Sequence, residues 1–262
     1  MAAQVSPAVG AAASGHSVGL WERLRRDTPW WAQPLAVVVV LGAFTGYSIW
    51  TSFFGPGPNH VSEHANYLSP FFSPLLWKTG PVTPALWVLW APLGFRATCY
   101  YYRKSYYRAF FWDPPGCAIG ELRHRGYRGE TRLPLVLNNL HRYFWYAAFI
   151  VVIFLWIDAF ASFDDGGHLY LGLGTLILLV NAVLLSGYSF GCHAFRHAVG
   201  GGLDCFSCSQ AARSRFRLWK WVSWFNGHHA LWAWISMFSV VAAEVYIRLL
   251  QAGMPDPHVL IR

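Results

Sequence analysis

Five apolar segments joined by short polar connections predict an all-α, polytopic membrane protein of five transmembrane helices, with helices 2–5 bundled around a shared centre. Two further observations support this class. Hydrophobic residues make up 55% of the chain and charged residues only 12%, about half of what a soluble domain carries. Aromatic residues reach 18%, as aromatic belts at two membrane interfaces require. The net charge of +8 would otherwise point to nucleic acid, but the basic residues lie in the connections, where topology accounts for them. No nucleic-acid partner is expected, and no hydrolytic triad, P-loop or dinucleotide fold is present in the sequence.

Residues 1–28, rich in Ala, Ser, Gly and Val, read as a flexible cytoplasmic N-terminus. The transmembrane domain, 29–250, begins with a span at about 33–54, too long for a signal peptide's apolar region. Gly55–Gly80, with His60, Glu63, His64 and repeated Ser-Pro, reads as a structured external cap. Further spans follow at about 82–110, 133–160, 168–197 and 215–250, and 251–262 form an external tail. Arg23, Arg25 and Arg26 precede the first span; Arg103 to Arg132 crowd the second connection; Arg196, Arg213, Arg215, Arg217 and Lys220 mark the fourth. The opposite side has Lys78, Arg248 and Arg262. This asymmetry places the N-terminus in the cytoplasm and the C-terminus outside a bacterial cytoplasmic membrane.

Spans two to five contain a faint repeat. Cys99-Tyr-Tyr-Tyr-Arg103 ends span two and Cys192-His-Ala-Phe-Arg196 ends span four, while Asn139-Leu-His141 enters span three and Asn226-Gly-His228 lies in span five. Duplicated helical patterns in membrane proteins place sites on the axis between the halves. At 1.5 Å per residue, Cys99, His141, Cys192 and His228 all lie roughly 24–27 Å from the outer surface, one per helix and at one level. Ionisable groups within spans are functional candidates by default.

Two Cys and two His suit several centres. A Rieske-type [2Fe–2S] cluster, in which two His replace two Cys on one iron, uses this set. Its ferric irons, sulfides and two thiolates sum to zero charge, which a low-dielectric bundle tolerates far better than an all-Cys dianion. Arg103 and Arg196, one turn beyond each Cys, are placed to offset an added electron or to reach the lipid headgroups. A haem b between His141 and His228 is a second option, and zinc in a non-redox membrane scaffold a third. The loop cysteines Cys117, Cys205 and Cys208 are an alternative ligand source, with a structural disulfide disfavoured by a reducing cytoplasm. Arg96, one turn deeper in the membrane than Cys99, needs a partner or a ligand, and His229 adjoins a proposed ligand.

Asn66-Tyr-Leu-Ser-Pro-Phe-Phe-Ser-Pro74, both Cys-x-x-x-Arg motifs and Asn138-Asn-Leu-His-Arg-Tyr-Phe-Trp145 resemble the cytochrome b-like membrane-anchor subunit of actinobacterial succinate dehydrogenase with a membrane-embedded Rieske-type cluster. The likeness covers about residues 30–250. It implies a flavoprotein subunit and an iron–sulfur subunit as partners, with electrons passing through the [2Fe–2S] centre to quinone, menaquinone in particular, for which Arg96 and His229 are the candidate polar groups. The chain would then be the anchoring, quinone-reducing part of respiratory complex II, with no succinate chemistry or catalytic residue of its own. It departs from dihaem anchors, lacking paired His for two haems, and from soluble Rieske domains, lacking their Cys-x-His and Cys-x-x-His loops.

Overall fold

The computed structural model describes residues 28–29, 31–110 and 135–261. Its helices are α1 (Ala32–Phe53), α2 (Ala85–Thr98), α3 (Tyr100–Phe110), α4 (His141–Ala161), α5 (Leu173–Phe190), α6 (His193–Gly200), α7 (Gln210–Gly227) and α8 (His229–Gln251). Among the described residues four are long and apolar enough to cross a membrane: α1, α4, α5 and α8. The chain is therefore a mostly helical membrane protein. The second expected span is not one helix. It breaks at Cys99, whose extended backbone (φ −64°, ψ 128°) separates α2 from α3, and Pro92 sits within α2.

The other expected spans are also interrupted at their Cys or His. Cys192 takes the same extended conformation (φ −69°, ψ 144°) between α5 and α6. Residues Leu135–Leu140 form a 3-10 turn that leads directly into His141 and α4. His228 (φ −107°, ψ 15°) separates α7 from α8. Each break frees backbone groups that must find other partners in an apolar medium. Cys99 N–H bonds Arg96 O, Cys192 N–H bonds Ser189 O, and the Asn226 side-chain amide donates to Gly191 O.

In the bundle α2 packs on α4, α4 on α5 and α5 on α8, while α1 lies along α3. Small residues permit the closest approaches. A Cβ on Gly94 would drive into the Phe144 ring, and one on Gly187 into the Trp232 ring. Phe95, Tyr102, Trp145, Tyr188 and Met237 then fill the buried centre around Cys99 and Cys192.

Among the described residues, strand appears only at the opposite end of the bundle, a small departure from an all-α chain. β1 (Glu63–His64) pairs with β2 (Tyr67–Leu68), and β3 (Asp164–Asp165), β4 (His168–Gly172) and β5 (His258–Ile261) form an antiparallel sheet in that order. Residues 258–261 thus pair with β4 rather than trail as a free tail. Tyr67 drops from the cap against Gly172 and Gly174, where any side chain would collide with its ring.

Candidate metal centre

Two Cys–His pairs form where the broken helices cross. Cys99 and Cys192 are free thiols, each only 1% exposed. His141 Nε2 lies 3.1 Å from Cys192 Sγ, and His229 Nε2 lies 3.6 Å from Cys99 Sγ. Each histidine therefore reaches across to the cysteine of the other half. Both contacts lie within hydrogen-bonding range of sulfur, the thiol donating to an unprotonated ring nitrogen or accepting from a protonated one.

The halves match in more than these pairs. Gly94 and Gly187 each stand five residues before a Cys, and each receives the aromatic ring three residues after a His, Phe144 or Trp232. Phe95 stacks on His141 (centroids 4.9 Å, 23°) and Tyr188 on His229 (4.9 Å, 13°), while Phe95 and Tyr188 meet each other at 4.9 Å. This symmetry sets the register that the Asn-x-His comparison misses by one residue. Asn138-x-x-His141 corresponds to Asn226-x-x-His229.

The remaining expected residues are placed as follows. His228 is exposed and turns away, its Nδ1 3.0 Å from Trp224 O, so the structure does not bring it to the thiols. Its neighbour His229, 2% exposed, occupies that position because α8 begins there. Arg196 faces α7, donating to Ser223 Oγ at 3.0 Å and lying over the Trp219 ring. The side chain of Arg103 and the whole of Cys117 lie outside the described residues. Cys205 and Cys208 are joined to each other as a disulfide in the connection before α7, which corrects the expectation of separate thiols. The physical reason is spacing: their Cα atoms stand 5.7 Å apart, within ordinary bridging range.

Arg96 is engaged inside the core. It donates to Tyr102 Oη (2.8 Å), Ala233 O (3.0 Å) and Ser236 Oγ (3.0 Å), and its guanidinium lies over the Tyr188 ring. Neither Arg96 nor His229 lines the large cavity of about 790 Å³ that opens beside His141. That cavity is bordered instead by His141, Arg142, His193, Arg196, His197 and Trp219. Arg142 and His197 face each other across it at 3.0 Å.

Among the described residues, no three His, Cys, Asp or Glu side chains gather about a single point. The donors come instead as two Cys–His pairs, chemically the set that soft iron or zinc accepts. Of the ring nitrogens in these pairs, His229 Nδ1 is buried with no hydrogen-bond partner.

Comparison with known proteins gives a consistent result. Residues 32–253 match the family described as actinobacterial succinate dehydrogenase subunit SdhC. A chain of the Mycobacterium smegmatis Sdh1 complex in the apo form superposes with a TM-score of 0.79 at 36% identity, covering 90% of this chain and 94% of that one. Among curated proteins no sequence relative was found. With a family match over most of its length, the chain belongs to the actinobacterial SdhC subunits, the membrane subunit of succinate dehydrogenase.

Proposed function

We propose that this chain anchors the flavoprotein and iron–sulfur subunits of succinate dehydrogenase to the membrane and carries electrons to quinone through a Rieske-type [2Fe–2S] cluster held by Cys99, His141, Cys192 and His229. The observation that carries this reading is the pair of buried cross-half contacts, Cys192 with His141 and Cys99 with His229. Two thiolates and two imidazoles are together the donor set of a Rieske-type centre. A bound cluster would supply one-electron transfer between the iron–sulfur subunit and quinone. The chain's own residues exclude water, with Phe95, Tyr188 and Tyr102 packed around the thiols. Binding requires both thiols to lose their protons, which the facing imidazoles assist as acceptors.

His229 replaces His228 in this assignment because only His229 faces a thiol. The same geometry leaves a haem without its expected axial pair, since His228 points away from the core. Quinone is assigned to the cavity beside His141, whose volume of about 790 Å³ falls in the range of small-molecule sites. Trp219 and Tyr143 provide aromatic walls, with Arg142 and His193 as donors for a carbonyl oxygen. Menaquinone fits this wall chemistry. The basic connections support a cytoplasmic position for this end and an external C-terminus.

Replacing both His141 and His229 with Ala tests the reading. The complex is expected to assemble and to oxidise succinate with an artificial dye, while quinone reduction falls to background. Normal quinone reduction by the assembled double variant would overturn it.

A further inference from the structure

The two halves of the bundle share a register around the centre, and they differ in what faces Nδ1 of each histidine. Five residues after Gly94 comes Cys99 and five after Gly187 comes Cys192, so Thr98 corresponds to Gly191. Thr98 Oγ1 lies 2.9 Å from His141 Nδ1. Gly191 offers His229 no such group. A Cβ there would already sit 3.1 Å from His229 Nδ1 and 2.9 Å from Gly187 O.

The Thr98 hydroxyl has one hydrogen, and it is committed. It donates to Gly94 O, four residues back on α2, at 2.7 Å, as threonines in helices commonly do. Towards His141 the oxygen therefore only accepts, so Nδ1 must carry the ring proton. The lone pair is then on Nε2, which faces Cys192 Sγ at 3.1 Å. Phe95, stacked on the ring, holds its plane. On the other side Tyr188 holds the plane of His229, but its Nδ1 is buried with no partner.

The geometry points to Thr98 as a positioning residue that fixes His141 in the tautomer that ligates through Nε2, making the two histidines of the centre unequal. This rests on the cluster reading above. Hydrogen bonding at the remote nitrogen raises the basicity of a ligating imidazole. His141 is thus the stronger electron donor of the two, and it is also the histidine that borders the cavity.

The test is pulsed EPR of the reduced, assembled complex, with redox titration of the same samples. Native protein is expected to show two remote histidine nitrogens with different quadrupole parameters. Thr98→Val shifts one of them, leaves the other in place and raises the midpoint potential, because a weaker donor stabilises the oxidised irons less. Thr98→Ser restores both the spectrum and the potential, which a loss of packing alone would not predict. Two equal remote nitrogens in the native protein overturn the inference, and so does a Thr98→Val spectrum and potential identical to native. If Thr98→Val fails to assemble, the native spectrum and Thr98→Ala decide in the same way. A native complex without any histidine-coupled cluster signal would instead overturn the reading on which the inference rests.

Discussion

At the scale of single residues, the site depends on which of two adjacent histidines begins α8. His228 caps the break and bonds Trp224 O, so His229 is the first residue that the new helix turns inward. His229→Ala is expected to remove the two irons and two sulfides that this subunit adds to the complex, whereas His228→Ala leaves them within about twofold of native, an interfacial substitution of small effect. The reverse pattern would mean that the helix break is displaced by one residue. Both Cys, His141 and the Cys-x-x-x-Arg repeat were legible in the sequence because residue type and depth alone identify them. The register of the last histidine was not, since Asn-x-His and Asn-x-x-His both place polar residues at the same depth within a turn. The Gly-x-x-x-x-Cys spacing would have resolved it, because each glycine accepts the ring three residues beyond a thiol-facing histidine. Gly191→Ala should displace His229, because its new Cβ would lie 3.1 Å from Nδ1. Loss of cluster occupancy with normal subunit assembly is the expected result.

At the scale of elements, hydropathy located the apolar segments but not the breaks within them. Gly191 caps α5 before Cys192 and Gly227 ends α7 before His228, but Cys99 breaks its span with no glycine or proline beside it, so local propensity does not mark all three. The polar contacts that hold the opposite end were equally hidden, since they join residues nearly two hundred positions apart. Arg248 on α8 pairs with buried Glu244 at 2.9 Å and donates to Thr51 Oγ1, His60 O and Pro56 O, tying α1 and the cap to α8. Thr51 in turn donates to Glu244. Arg248→Ala leaves that carboxylate buried and uncompensated, a loss of about 3–5 kcal/mol, read as a lowered melting temperature in detergent. An unchanged melting temperature would show that the pair contributes nothing net.

The cap has a second latch at Asp256, where Tyr67 and Tyr170 donate to Oδ2 at 2.6 and 2.7 Å and Tyr246 donates to Oδ1. Burial works to raise this carboxyl, but the three hydroxyls and the Gly174 N–H outweigh it and hold its pKa below the ordinary 3.8. A depressed carboxylate stabilises the fold fully above 3.8 and loses that contribution as pH falls through the lower folded value. The cap of the native protein is therefore expected to become protease-sensitive only in strong acid. Asp256→Asn should be cleaved faster already at neutral pH and lose that acid transition. Equal cleavage of both proteins across the pH range would contradict the latch.

At the scale of the whole molecule, duplication explains why the centre lies between helices and not within one. Each half offers a Cys at a helix break and a His at a helix start, and only their crossing completes two pairs. Basic residues collect at the end that carries these breaks, which fixes the expected orientation. Alkaline phosphatase fused to the C-terminus should be active and a green fluorescent protein fused there dark; the opposite result would invert the topology. The central claim is that the crossed Cys–His pairs hold a Rieske-type cluster. Low-temperature EPR of the dithionite-reduced complex, with iron, acid-labile sulfide and haem assayed on the same sample, tests it most directly. The account predicts a [2Fe–2S] signal from this subunit with average g well below that of an all-Cys cluster, lost on His229→Ala and kept on His228→Ala. A complex with no such signal, showing a haem spectrum or bound zinc in its place, would contradict it.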